Sequence, residues 1–422
     1  MFRDRNVRGV VLARLVSASG VEASFFLGLW GKAAFEFQGS PGDLAAMAAL
    51  IALGSIVGNV AAGMLVDRND ARRVLIAAEA VFVPATLALA LAGSMPQLLA
   101  LGLVSWTAAG VIETALSSMP PALVDGEEAL QAVNARLESA GWLALVAGPA
   151  LGAALVTVTD IDAVFVFDAA TSVAALALLR GVRLRAPEAA EAPTASFAEV
   201  RAGLAYSYTH RPIAMVMCLG SLSWLAFGVF IALEPLYFRD VLGTGPETVG
   251  WVNALFGMGL FAGSTLLERT AARWPGFQVA IALSVGAGLG SMLYAGTASL
   301  AWVAVGAVAW SLPLGALLPL LRTLAQRETR PGMVGRVMGA ITMQQNASSV
   351  LPLAFAPWAA AAFGVQGVLV ASGGVVAVGA PLVMGIGRRL DVASAAMRRT
   401  NVPPPPEEPA TVPQADRRPA TS

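Results

Sequence analysis

The basic residues of this 422-residue chain fall into every second gap between long apolar blocks. The blocks lie near 10–31, 43–66, 74–93, 97–120, 134–157, 162–180, 213–236, 247–267, 277–296, 300–321, 336–360 and 365–387. Each is about the ~20 residues that a helix needs to cross a hydrocarbon core, where every backbone polar group must be paired within its own segment. Of the 27 Lys and Arg residues, all but Arg14, Lys32 and Arg239 sit at block ends that open on one side. The positive-inside rule makes that side cytoplasmic. The pattern therefore predicts an all-α membrane protein of twelve transmembrane helices, with both termini in the cytoplasm.

Composition points the same way. The chain is 57% hydrophobic and 13% charged, with a mean hydropathy of +0.70, whereas a soluble domain carries roughly 25% charged residues. Net charge is zero, so a nucleic-acid partner has no electrostatic support. One cysteine, Cys218, and one histidine, His210, exclude a disulfide framework and a multi-histidine or cysteine metal site. No metal and no cofactor are expected. Gly286-Ala287-Gly288-Leu289-Gly290 has the glycines of a nucleotide loop but sits inside an apolar block with no strand before it. Lys32 is the sole lysine, so no Walker lysine exists and the chain is not expected to be an enzyme. The first block follows Arg3, Arg5 and Arg8 in the manner of a signal peptide, but cleavage after Ser17-Ala18-Ser19 would cut a spanning helix in two. It reads as uncleaved.

The longest polar interruption divides the chain into a six-helix bundle over 1–182, a linker over 183–212 and a second six-helix bundle over 213–390. Phe197, Val200, Leu204 and Tyr208 recur at helical spacing within the linker, which predicts an amphipathic helix along the membrane face. The tail, 391–422, carries Pro403 to Pro406, Glu407, Glu408 and Pro409 and reads as disordered. The halves echo one another at an offset of about 205 residues: Ser40-Pro41-Gly42-Asp43 opens the second block and Gly245-Pro246-Glu247-Thr248 the eighth. Gly63 to Arg68 pairs more loosely with Gly263 to Arg269. Such duplication is a building plan of secondary transporters, with the substrate site between the halves.

Between the second and third blocks runs Gly63-Met64-Leu65-Val66-Asp67-Arg68-Asn69-Asp70-Ala71-Arg72-Arg73. Its charge cluster at the membrane edge serves as a topogenic turn, and Gly63 permits close approach of another helix. The stretch resembles the signature loop of the major facilitator superfamily, in the form found in its drug/proton antiporter branch of multidrug and siderophore exporters. Ala71 stands where that branch often has a basic residue. Gly148-Pro149-Ala150-Leu151-Gly152 is similar to the antiporter signature of the fifth helix, with Ala144 and Ala153 at its outer glycine positions. Arg14 to Gly20 and Arg330 to Met338 resemble two further segments of the same branch. Together the similarities span residues 10 to about 388.

The resemblance implies two pseudo-symmetric bundles in a bacterial inner membrane, working as a monomer on a small-molecule substrate and on protons. It implies a gate built from Gly63, Asp67, Arg68, Arg72, Arg73, Gly148, Pro149, Gly335 and Arg336, with Asp67 latched onto the positive helix end at Gly335-Arg336. The first, fourth, seventh and tenth helices would line the cavity. Acids within lipid are costly and usually functional, so Glu22 and Glu113 are read as proton-coupling groups together with Arg14, the partner that Glu22 has in its own helix. Glu234 precedes Pro235 near an interface and is assigned to plain solvation; Glu79 and Asp168 are assigned to snorkelling or capping. Phe26, Trp106, Trp224, Phe227 and Trp310 are the expected walls of an aromatic cavity, whereas Trp30, Trp251 and Trp302 fit the interfacial belt. The expected activity is export of small amphipathic organic molecules by proton antiport. The alternatives are a transport-inactive receptor or scaffold, and a facilitated importer of a small polar solute. If Asp67 latches the gate, Asp67→Asn removes a charge–dipole interaction of ~0.3–2 kcal/mol. It then slows transport at unchanged expression; wild-type turnover would leave only the topogenic role.

Overall fold

The computed structural model describes residues 4–66, 68–182, 197–270, 276–330 and 332–400, and within them every element is helical. The first half comprises α1 (Arg5–Glu36), α2 (Pro41–Val66), α3 (Ala71–Ala90), α4 (Met95–Ala122), α5 (Glu127–Val158) and α6 (Asp162–Leu179). A connecting helix, α7 (Phe197–Thr209), leads to α8 (Arg211–Leu242), α9 (Pro246–Leu267), α10 (Gly276–Ala295) and α11 (Leu300–Glu328). After α12 (Val334–Val350) come a 3-10 turn, Leu351–Ala354, and α13 (Ala356–Leu382). Gly364 inside α13 has φ 74° and ψ 155°, which breaks the helix. Residues 356–363 extend the eleventh span and 365–382 form the twelfth. Eleven described helices are long and apolar enough to cross a membrane, and this break accounts for the twelfth crossing.

Helix starts follow the sequence chemistry. Pro41 and Pro246 are the first residues of α2 and α9, where proline costs no hydrogen bond. Ser40 donates its backbone N–H (2.9 Å) and hydroxyl (2.7 Å) to Asp43. Asp70 caps α3 by accepting from the Arg72 and Arg73 backbones at 2.9 and 3.2 Å. Exposed apolar side chains such as Leu53, Ile56, Val57 and Val60 on α2 face lipid rather than water.

Packing repeats between the halves. Helix α1 lies against α5 and α6, α2 against α4, and α3 against α4 and α6. In the second half α8 lies against α12 and α13, α9 against α11, and α10 against α11 and α13. The closest approaches repeat too. A Cβ on Gly110 would lie 3.0 Å from the Ser55 carbonyl, and one on Gly58 3.1 Å from Gly110 itself. At the same offset of 205 residues, Gly263 abuts the Ala316 backbone at 3.1 Å and Gly315 abuts Leu260. The glycine that mirrors Gly263 is thus Gly58 and not Gly63, around which a Cβ would meet nothing within 4 Å.

The connecting helix and the tail bear on two expectations. Helix α7 docks on α12 and α8 through buried Gly203 and Ser207. Of the predicted apolar stripe, Leu204 is half-buried and Tyr208 is exposed but donates its hydroxyl to Gln344 of α12 at 2.6 Å; the side chains of Phe197 and Val200 lie outside the described residues. Helix α14 (Met384–Thr400) carries order ten residues into the tail expected to be disordered. It is anchored by Asp391, which accepts from the backbones of Phe277 and Gln278 at 3.0 Å each, an N-terminal cap for α10. Residues 401–422 and most of the linker, 183–196, lie outside the described residues. Gly364→Ala forces a side chain into a backbone region that strains any other residue, at a cost of about 1–3 kcal/mol. It should lower the thermal midpoint of the purified protein, and an unchanged midpoint would show that the break is not required.

Candidate functional site

Among the described residues, partly buried polar contacts clasp the halves together on one face. On the face poor in arginine, Arg239 of α8 donates to the carbonyls of Ala34 (2.6 Å) and Gly39 (3.1 Å) at the far end of α1. Nearby, Lys32 is 1% exposed; it bonds the Ala90 carbonyl (3.1 Å) and Asp162 (2.5 Å), so α1, α3 and α6 meet around one ammonium. The two cations of this face are therefore clasps. On the arginine-rich face the halves meet through an exposed pair, Arg322 and Glu138 at 3.6 Å, and exposed pairs contribute at most about 1 kcal/mol. Gly63 and Gly335 each border open space there. This conformation is open toward the arginine-rich face and closed on the other.

The open side holds the ionisable group. Arg14 of α1 is ion-paired with Glu113 of α4, and the Glu113 side chain is 51% exposed. Glu22, expected to be the partner of Arg14, lines the same cavity but makes no ion pair with it among the described residues. Arg14, Glu22 and Glu113 together line a cavity of about 380 Å³ that α5 completes with Asn134, Glu138 and Trp142. The same three line a second cavity of about 310 Å³ toward α2, with Ser55, Asn59 and Trp106. The structure brings the three predicted coupling residues together, with the pairing redistributed.

Above them, between the halves, lies an aromatic cleft. Phe25, Phe26 and Trp30 of α1 face Phe227 and Phe230 of α8, Phe256 of α9 and Trp310 of α11. Trp310 is the hub, with ring centroids 4.4 Å from Phe230, 4.8 Å from Phe256 and 5.8 Å from Tyr294. Trp106 joins through an edge contact with Phe25 at 5.3 Å, and Trp224 through Phe227 at 5.5 Å. Trp30 is 2% exposed, so it belongs to the seam and not to an interfacial belt; Trp251 and Trp302, half exposed, do face outward. Glu234 also lines this cleft. It accepts from the Tyr294 hydroxyl and, at 3.4 Å, from the Asn253 amide, so it is a bonded cleft residue rather than a solvated one. Its neighbour Pro235 suggested a helix end, whereas α8 continues for seven residues beyond it.

The gating residues divide. Gly148 packs against α1, where a Cβ would stand 2.5 Å from that of Glu22 and 2.8 Å from the Ser19 carbonyl. The Pro149 carbonyl meets α9, 2.8 Å from where a Cβ on Gly250 would be. This motif therefore lies in the seam. Arg72 donates to the carbonyls of Arg180 (2.9 Å) and Val182 (3.3 Å), capping the end of α6. Arg68 is exposed, and Arg73 borders a surface hollow between α3 and α4. The Arg336 carbonyl abuts Gly203 of α7. Asp67 lies outside the described residues. Glu79 and Asp168, at 2% and 1% exposure, neither snorkel nor cap: they are sealed inside the first half.

The family model for the Major Facilitator Superfamily matches residues 10–352 and 216–419. The chain belongs to this superfamily. It is a membrane transporter and not an enzyme. It is 24% identical over 363 residues to the multidrug efflux pump Tap of Mycobacterium tuberculosis, covering 82% of this chain and 85% of the pump. The fold matches that of a POT family transporter in complex with 5-aminolevulinic acid (TM-score 0.71, 12% identity, 92% and 96% of the two chains). It also matches a bacterial homologue of the iron transporter ferroportin in an inward-facing state (TM-score 0.67, 15% identity, 89% and 98%). Within this transporter, Tyr294→Phe leaves the Glu234 carboxyl without its hydroxyl donor. A buried group so deprived costs about 1–3 kcal/mol; the variant should melt earlier, and an unaltered melting curve would remove Tyr294 from the cleft's polar support.

Proposed function

We propose that the protein exports small amphipathic organic molecules by proton antiport, with its arginine-rich face and both termini in the cytoplasm of a bacterial cell. The carrying observation is the group Arg14, Glu22 and Glu113 in a cavity open on that face, directly below an aromatic cleft sealed on the other. In this reading the conformation is the inward-facing one. Substrate enters from the cytoplasm or the inner leaflet and rests on the rings around Trp310. A rocking of the two halves, 1–182 and 213–390, then opens the Arg239 side. The likeness to the pump Tap supports export over uptake, and the apolar lining suits amphipathic cargo. The gate opposite Arg239 would close as Gly63 and Gly335, now bordered by open space, are brought against the other half, with Asp67 as the latch.

Glu22 is the proposed proton carrier. Arg14 is engaged by Glu113, which leaves Glu22 without the ion pair that would hold it permanently charged. A carboxyl in such a position takes up a proton when shut from water and gives it up when wetted. Each tenfold difference in proton affinity between the two states supplies about 1.4 kcal/mol of coupling. Glu22→Gln should abolish pH-gradient-driven efflux from proteoliposomes while leaving dye binding intact. Full proton-coupled efflux by a stable Glu22→Gln variant would transfer the role to Glu113, and a folded wild-type sample that moves neither protons nor dye would defeat the export reading altogether.

A further inference from the structure

Three oxygens inside the first half are sealed from solvent and accept or donate no hydrogen bond: Glu79 Oε2, Asp168 Oδ1 and Ser172 Oγ. Glu79 stands nine residues into α3 and Asp168 seven into α6, so both lie well inside the membrane thickness at ~1.5 Å per residue. They are close together. Asp168 and Ser172 are one turn apart on α6, the Ser172 hydroxyl faces the Glu79 carboxyl, and the two carboxyls lie within electrostatic reach of each other. Helix α1 closes the third side: the Ser24 hydroxyl faces Asp168, and a Cβ on Gly20 would stand 2.8 Å from Asp168 Oδ1. Among the described residues no Lys or Arg is paired with either acid, and the charge of Lys32 is already engaged by Asp162.

Two carboxyls without a cation are expensive in such a place. Protonation of both would remove the charge, but it would leave Glu79 Oε2, Asp168 Oδ1 and Ser172 Oγ, as they are placed here, without the partners that buried oxygens ordinarily have. A small hard cation, unlike a hydrogen-bond donor, requires no alignment. Oxygens bound to one at ~2.4 Å sit farther from each other than a hydrogen bond allows, which suits three neighbouring oxygens that make no bond among themselves. We propose that Glu79, Asp168, Ser172 and Ser24 form a binding site for a sodium-sized monovalent cation, separate from the transport cavity and shared by α1, α3 and α6. One ion and one proton neutralise the pair. The all-oxygen donor set excludes soft metals, and the few protein ligands suit an alkali ion better than calcium, which takes six to eight. Because Ser24 begins the π-helical stretch of α1, an ion here fixes the helix that carries Glu22 two residues earlier.

The test is made on the full chain in nanodiscs at constant pH and ionic strength, exchanging sodium chloride for choline chloride, with sodium-22 binding measured in parallel. The expected result is a saturable rise in melting temperature with sodium and one bound ion per chain. Both should be lost in Glu79→Gln and Asp168→Asn and weakened in Ser172→Ala. Identical melting curves in sodium and choline would overturn the site. So would a midpoint that follows pH but not sodium, which would assign protons to the pair. If the carboxyl variants fail to fold, the wild-type comparison and Ser172→Ala still decide. No substrate or flux enters the measurement, so its failure leaves the export reading standing, and failure of export leaves the site standing.

Discussion

Everything on the closed face depends on the Arg239 guanidinium reaching from α8 to the carbonyls at the end of α1. Two bundles with largely apolar surfaces gain little from each other in lipid, because the surrounding chains are as apolar as the contact they would replace. Specific polar contacts must therefore choose which edges meet. Arg239 spans the seam, and Lys32 holds α1 to its own bundle through Asp162 and Ala90. On the opposite face an ion pair across the seam among the described residues, Arg322 with Glu138, is exposed, so the contacts of the Arg239 side are the better protected from water. A residue that reads in sequence as a topological exception is thus the principal clasp.

The acids sort by what surrounds them. Glu113 is matched by Arg14 in a wet cavity, Glu234 is held by Tyr294 and Asn253 among aromatic rings, and Glu79 and Asp168 are closed into the bundle. Set beside these acids, Glu22 is the one that lines the open cavity without an ion pair. Its helix is pressed against Gly148, so movement of α5 against α9 at Pro149 bears directly on its surroundings. The seam motif and the proposed proton site are consequently one mechanical unit.

Much of this was legible in the chain. Long apolar blocks and alternating arginines fix the crossings, because lipid forbids irregular backbone and translocation sorts charge. The prolines at 41 and 246 marked real helix starts. Orientation about a helix axis was harder. Depth alone placed Glu79 and Asp168 near helix ends, whereas their burial depends on which face α3 and α6 turn to each other. The partner of Arg14 was sought two turns along its own helix and was found on α4, a contact that only tertiary packing supplies. Gly63 and Gly58 are the same residue type on the same helix, and the one in a helix contact is distinguished by its partner Gly110 on α4, a separation that local pattern does not carry.

Helix α1 is wound as a π-helix over Ser24–Leu29 and again over Lys32–Glu36. A π turn holds about one residue more than an α turn. The end that bears Trp30 and Lys32 is therefore out of step with a wheel drawn from the end that bears Arg14. Loss of a single residue in this stretch would be absorbed by rewinding one π turn to α, where a deletion in a regular helix would turn the outer end by roughly 100°. Lys32 would keep its face toward Asp162 and Arg14 its face toward Glu113. In evolutionary terms, α1 is a place where the chain can lose one residue and leave both helix ends facing their present neighbours.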